Sequence, residues 1–596
     1  MSFNISDIKL SVRNTPFSKP IIFIYRKIKI VWLSTIVQKI LIKIRYITSD
    51  ILDLFNIWHS INTPLTRQMK KIIRRTSNIV NSQLKTISEN DPKILIATSY
   101  GFTPYMLGVE STIAVSLKLR GKQPYILACE KSLPACEWNR WGNEKPDTGK
   151  FPPTILWEKG TSNCDYCVNG FYSIIGQLPF PIISFSKYID EVNEEELIHI
   201  IDEVPYNEYY SFKYKGINVG HEAYSSTVRS LQIGVLDDDE ETRWIFKRYL
   251  LSGLWVVELF ERVINDLKPE AIFSVHGVYI THGILAQIAR KRNINLVVWS
   301  GPDPGNKIKI EKNYAPVIGI RNRIKNSDLS PINVKKRNFI LSSIKKRRDD
   351  ASPFHGVANP IKSKDEIVNS LELDIEKPII SLFTNVTADS AHWYPSKLFN
   401  NILDWVFYTI DYFLDYPELQ LIIRSHPSER SGIGSRQPVA NEINKKYKSL
   451  PQNIKLISPE SRFSSYSILD MTNVALIYAS TVGLEATIMG IPTILIANAS
   501  YSSDFTFNPT SKGEYNKLLN NLFDLKVDKK MQDQAINAAY EIWFESQIKF
   551  DLVGIKNHVD SDGLKLNYRK YDDLFSGNDM TLDTVCEKIY FGENIR

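Results

Sequence analysis

The stretch Ile477–Leu495, "IYASTVGLEATIMGIPTIL", decides the fold. An apolar run stops at Ser480 and Thr481, a helix-like run follows with Glu485 one turn in, and Gly490-Ile491-Pro492 leads to a second apolar run. Strand, turn, helix and strand in that order form the repeating unit of a parallel sheet. A turn where a strand ends and a helix begins offers free N–H groups, which suit a phosphate. Ser480 and Thr481 can donate to phosphate oxygens, and Gly483 lets a ligand approach the backbone. Glu485 would repel phosphate and is better suited to sugar hydroxyls. The plain alternative stands beside this: two helix caps and a carboxylate complementing a helix dipole.

Outward from this unit the same alternation recurs. Strands are expected at "PIISLFT" (378–384), "LQLIIRS" (419–425), "NIKLIS" (453–458), "VALIYAS" (474–480) and "PTILIA" (492–497), with helices between. An earlier set contains "KILIAT" (93–98), "PYILAC" (124–129), "AIFSVH" (271–276) and "NLVVWS" (295–300). The fold class is therefore α/β, with two doubly wound parallel sheets and a basic N-terminal segment. At 596 residues the chain is too long for a single core. The expected divisions are a basic amphipathic segment 1–90, a first α/β domain 91–310 with an insertion at about 130–250, a linker 311–370, a second α/β domain 371–530, and a tail 531–596. Ligands bind such sheets at strand C-terminal edges. Neither Gly-x-Gly-x-x-Gly nor the P-loop pattern occurs, so neither a dinucleotide fingerprint nor a Walker site is supported.

Composition is that of a globular protein, 43% hydrophobic and 23% charged. The net charge of +7 is unevenly placed: residues 1–90 hold 15 Lys/Arg and 4 Asp/Glu, leaving −4 for the rest. Positive charge confined to an apolar-rich arm disfavours a nucleic-acid partner. The run Ile21–Tyr46 is broken by Arg26, Lys27, Lys29, Lys39, Lys43 and Arg45, which argues against a spanning helix of roughly 20 apolar residues. Such a segment suits the surface of an anionic membrane, and docking on the protein body is its plain alternative. With no secretory pattern, the expected location is the cytoplasm, with the arm on the inner face of the cytoplasmic membrane. Cys129, Cys136, Cys164 and Cys167 cluster, and could supply a structural zinc site or remain buried free thiols.

Further candidates lie at the expected strand ends. "IIRSHPSE" (422–429) places Arg424 and His426 at one rim, where an arginine supplies fixed charge and a histidine a proton near neutrality. An Arg424–Glu429 ion pair is the plain alternative. "FTNVTADSAHWYPS" (383–396) offers Thr384, Asn385 and Asp389 as hydrogen-bonding groups, or as loop caps. In the first domain His221, Glu222, His276 and His282 are candidate bases or acceptor contacts, and nothing in the sequence ranks them.

Taken together, "RSHP", "YASTVGLEATIMGIP" about fifty residues later, and "FTFNPTSKGEYNKLL" resemble the capsule polysaccharide biosynthesis family of bacterial GT-B glycosyltransferases. "LFTNVTADS" and "HGVYITHGILAQIARKRNINLVVW" add to the likeness. It is strongest over 375–525, fainter over 93–300 and absent before 90. The resemblance implies two Rossmann-like domains facing across a cleft and a metal-independent sugar transfer with no required cofactor. The donor would be a nucleotide sugar, and the acceptor a glycan or lipid-linked glycan. Arg424 and His426 would contact the donor phosphate, Ser480 and Thr481 would cradle it, and Glu485 would face the nucleoside sugar. Bacterial sialyltransferases of this type hold CMP with a similar His-Pro pair and serine/threonine turn, which favours a CMP-sugar. The alternatives are a nucleotide-sugar 2-epimerase, a teichoic-type polyol-phosphate transferase, or a non-catalytic scaffold in polysaccharide assembly.

Overall fold

The computed structural model describes residues 64–88, 90–101, 103–137, 162–303, 306–326, 332–349, 362–387, 395–430, 435–555 and 564–591. The basic segment before residue 64, including Ile21–Tyr46, lies outside them. Among the described residues no helix is long and apolar enough to cross a membrane.

The first sheet contains β1 (Lys93–Ile96), β2 (Gln123–Ala128), β3 (Ile182–Ser184), β4 (Ala271–Val275), β5 (Asn295–Asp303) and β6 (Lys307–Lys312). The second contains β7 (Ile379–Phe383), β8 (Gln420–Arg424), β9 (Ile454–Ile457), β10 (Val474–Ile477) and β11 (Thr493–Leu495). A late strand, β12 (Gln547–Lys549), joins the first sheet at its edge. The first sheet runs β12-β6-β5-β4-β1-β2-β3 and the second β11-β10-β7-β8-β9. In both, the five parallel strands follow one order: third, second, first, fourth, fifth. That doubly wound order puts a switch point between the first and fourth strands, β1/β4 and β7/β10, where crossovers leave to opposite faces.

The sequence explains why these strands lie inside. "IISLF" and "AIFSV" are apolar throughout, and every residue of β7 and β4 is buried, as strands covered on both faces require. Ile272, Leu296 and Val298 pack on one side of the first sheet; Phe273, Val275, Val297 and Trp299 pack on the other. A separate core surrounds the second sheet.

Three stretches are more ordered than their composition suggests. Residues 311–370, read as a linker, hold the helices Pro316–Asn326, Val334–Asp349 and Lys364–Leu371. Ile320 and Ile324, and Ile340 and Ile344, are one helical turn apart and enter the second core, beneath a surface rich in Lys and Arg. Residues 531–596, read as a tail, supply β12 and the helix Met580–Phe591. That helix packs against β4, β5 and the helix Pro104–Leu119. Its Leu582, Val585, Cys586 and Ile589 form one apolar face, buried on the first sheet. The insertion at 130–250 provides the helix Val219–Leu231 and the start of Glu240–Leu267, which cover one face of that sheet.

Candidate functional site

At the second switch point the loops after β7, β8 and β10 are tied together. Thr384 continues the β7 ladder, its N–H donating to Arg424 O at 3.1 Å. Its hydroxyl accepts the His426 amide at 3.0 Å. Asn385 Oδ1 accepts the Ala479 amide at 3.2 Å, spanning the gap between β7 and β10. Among the described residues the amides of Ser480, Thr481 and Val482 donate to no partner. Ser480 is half-buried and Thr481 exposed. Thr481 begins the helix Val482–Ile488 without a side-chain cap, so the capping alternative is not realised there.

His426 is half-buried, and its Nδ1 accepts the Ser428 amide at 3.2 Å. In the neutral ring the proton therefore sits on Nε2, which makes that nitrogen the donor.

The structure assigns other work to three expected donor contacts. Arg424 is 1% exposed; its guanidinium donates to Ser458 O at 2.6 Å and Phe463 O at 3.2 Å, holding the loop after β9. It is not paired with Glu429. That carboxyl accepts instead from the Val439 amide, and burial pushes its pKa up to about 8. Gly483 is required by internal packing: a Cβ there would lie 2.4 Å from Tyr501 Oη and 3.0 Å from Ile477. Glu485 is buried and accepts from Arg347 Nη1 at 2.8 Å and Tyr466 OH at 3.1 Å. Burial raises its pKa, against the pull of Arg347. Asp389 lies outside the described residues.

At the first switch point Thr98 Oγ1 accepts the Val275 amide at 3.2 Å, bridging β1 and β4 as Asn385 bridges β7 and β10. The Thr98 hydroxyl donates to buried Glu110, which also accepts from Trp299 Nε1 at 3.0 Å. Burial lifts the Glu110 pKa to about 8, so it holds a proton at neutrality. Past β4 the backbone is left-handed at His276 (φ 59°) and Tyr279 (φ 69°), an uncommon conformation for side chains of that size. Withdrawal from water, with His282 and Arg229 nearby, brings the His276 pKa down to about 4, leaving a neutral ring.

His282 is buried with Nδ1 3.0 Å from Glu137 Oε1, and Thr281 donates to Glu137 Oε2 at 2.8 Å. Burial pushes Glu137 up, but the adjacent His282 ring and the bond from Thr281 outweigh it, and the carboxyl sits below its ordinary value. His276 and His282 are thus brought together. Glu222 instead turns inward, accepting from Gln287 Nε2 at 3.0 Å, while half-buried His221 stands beside the Tyr210 ring.

The helix Val219–Leu231 touches both rims. Ser226 Oγ accepts the Ile280 amide at 2.9 Å on the first. Just past its other end, Gly234 and Val235 donate to Gln437 Oε1 at 3.0 Å each, and Arg436 N donates to Gln232 O at 2.7 Å. Thr387, three residues beyond Thr384, donates to Gln437 O at 2.9 Å.

The four clustered cysteines line one pocket with Tyr100 and Tyr172. None of the four forms a disulfide with a described residue, and Gly101 N donates to Cys167 Sγ at 3.1 Å. Among the described residues no three His, Cys, Asp or Glu side chains are placed to hold a metal ion. Burial, with Cys167 adjacent, pushes the Cys129 thiol up to about 12.

Glu137 and Glu110 were missed from the sequence. Glu110 had a signal: it is the one carboxylate in "PYMLGVESTIAVSLKL". Glu137 had none beyond its place next to Cys136.

Two doubly wound sheets, each with loops gathered at its switch point, define the class of architecture. No family model matches the chain, and no curated protein does. Among solved structures, Thermosulfurimonas dismutans KpsC, a beta Kdo 2,4 transferase, is 12% identical with a TM-score of 0.32, over 45% of this chain and 79% of that one. Methanocaldococcus jannaschii UDP-GlcNAc 2-epimerase, in complex with UDP-GlcNAc and UDP, is 12% identical with a TM-score of 0.25, over 76% and 99%. An E. coli trehalose-6-phosphate structure bound with UDP-2-fluoro glucose is 12% identical with a TM-score of 0.29, over 77% and 96%. Likeness at this level leaves the chemistry to be argued from this chain's own residues.

Proposed function

We propose that the protein is a metal-independent GT-B glycosyltransferase. It would move a sugar from a nucleotide-sugar donor, a CMP-sugar by preference, to a surface or capsular polysaccharide or its lipid-linked acceptor. One observation carries this reading: three amides at Ser480–Val482 that have no partner among the described residues stand on the same tied rim as His426 and Asn385. Backbone donors fixed at a switch point bind an anionic oxygen without having to reorganise.

In this reading the donor phosphate accepts from those amides and from the Thr481 hydroxyl. The His426 Nε2 proton is shared with the leaving phosphate as the glycosidic bond breaks. Arg424 is a positioning residue, fixing the loop between β9 and the helix that follows it. The acceptor hydroxyl loses its proton to a neutral base at the first rim. His276, half-buried just past β4, is the candidate by its position.

The test is turnover with donor alone and with donor plus acceptor glycan. Acceptor-dependent nucleotide release that falls at least about a hundredfold in His426→Ala, with an unchanged melting temperature, supports the reading. Isomerised sugar nucleotide without acceptor means an epimerase, and release of CMP with transferred phosphate means a polyol-phosphate transferase. No reaction and no nucleotide binding leave a scaffold.

A further inference from the structure

The helix Pro64–Arg75 carries Arg67, Lys70, Lys71, Arg74 and Arg75 and no acidic residue. Their spacing of three, four, seven and eight residues from the first places all five on one face. All five are exposed. The opposite face, Leu65, Met69 and Ile72, is buried in the core of the first sheet. Gln68 fixes the helix's rotation: its Nε2 donates to Leu564 O at 3.0 Å and its Oε1 accepts the Leu566 amide at 2.9 Å. The cationic stripe is therefore held outward by packing.

Among the described residues none of the five has a carboxylate within ion-pair distance. Elsewhere basic groups are commonly matched, as in Lys118–Asp91, Arg323–Glu541 and Arg347–Glu485. Like charges one turn apart on a helix repel, so an unmatched stripe costs stability unless something negative covers it. Isoleucine side chains stand close by in sequence: Ile79 is 81% exposed and Ile87 55%. Cations beside exposed aliphatic side chains suit a surface of anionic headgroups over acyl chains, whereas nucleic acid would favour aromatic partners.

We propose that this face docks the protein on an anionic lipid surface. The inference rests on the helix and not on the transferase reading. If both hold, the first rim works on acceptors presented at a membrane.

The test is co-sedimentation of the full chain with vesicles of phosphatidylcholine alone, or of phosphatidylcholine and phosphatidylglycerol in equal parts. The expected result is binding to the mixed vesicles only, weakened by salt. The combined variant Arg67→Gln, Lys70→Gln, Lys71→Gln, Arg74→Gln, Arg75→Gln should lose at least about tenfold in partitioning. The charge-preserving variant Arg67→Lys, Arg74→Lys, Arg75→Lys should bind as the parent does. Nucleotide binding should not change in either variant and the melting temperature should not fall, which separates docking from the active-site reading. Equal binding to both vesicles, undiminished binding by the neutralised variant, or retention on RNA but not on vesicles would overturn the proposal.

Discussion

Asn385 Oδ1 accepts the amide proton of Ala479 at 3.2 Å, and this bond joins the C-terminal ends of β7 and β10. The turn at Ser480 and Thr481 begins one residue later. Asn385→Ala should therefore cost about 1 kcal/mol of stability, the worth of one hydrogen bond. Nucleotide-induced stabilisation should fall by more than that, because the turn loses its tether. Thermal shifts with and without nucleotide separate the two effects; equal losses would mean the bond serves folding alone.

Arg424 gives a contrasting case. If its guanidinium only holds Ser458 O and Phe463 O, Arg424→Lys should leave a buried carbonyl unpaired and cost about 1–3 kcal/mol. Urea denaturation reads that cost. A variant with parental stability that has lost nucleotide affinity would instead make Arg424 a donor contact.

Glu110 should be visible in the pH dependence of stability. Its carboxyl keeps a proton to about pH 8 in the folded chain and releases it near 4.5 when unfolded. Between those values the folded state binds the extra proton, so this contribution is full below pH 4.5 and is lost as pH rises through 8. The slope is at most about 1.4 kcal/mol per pH unit for each such group, and Glu429 adds a second of the same sign. Glu110→Gln keeps the acceptor for Thr98 and Trp299 and should flatten the decline measured between pH 5 and 8. An unchanged profile would contradict a protonated Glu110.

Gly234 marks the contact between the helix Val219–Leu231 and the second rim. A Cβ there would lie 2.5 Å from Thr387 Cβ and 2.6 Å from its carbonyl oxygen. Gly234→Ala should cost about 1–3 kcal/mol through overpacking or push the two surfaces apart. Denaturation together with small-angle scattering distinguishes these outcomes.

Much of the sheet architecture was legible. Continuous apolar runs bounded by turn residues located nine strands, from "KILIAT" to "PTILIA", because a strand buried on both faces cannot disguise its composition. β3, β6 and β12 were not found: β3 and β12 are three-residue strands at the sheet edges, and β6, "KIKIEK", is too charged to read as a covered strand, so their pairing is set by tertiary contacts. The helices of 311–370 hid for a related reason, with a few isoleucines at helical spacing among many basic residues. At the site, sequence order placed Asn385, His426, Ser480 and Thr481 at strand ends, and the fold brings them to one rim. It could not show that Arg424 and Glu485 turn inward, since their partners Ser458, Phe463 and Arg347 come from distant positions in the chain.

The central claim is that the rim at Ser480–Val482 holds the phosphate of a nucleotide sugar. Calorimetric titration of the parent and of Thr481→Glu with CMP, CDP, UDP and GDP tests it most directly. Thr481 is exposed, so the added carboxylate should leave folding intact while placing a negative charge against the three amides. At least one nucleotide should bind the parent, and the variant should bind it at least about tenfold more weakly. Equal affinity in parent and variant, or no binding by either, would contradict it.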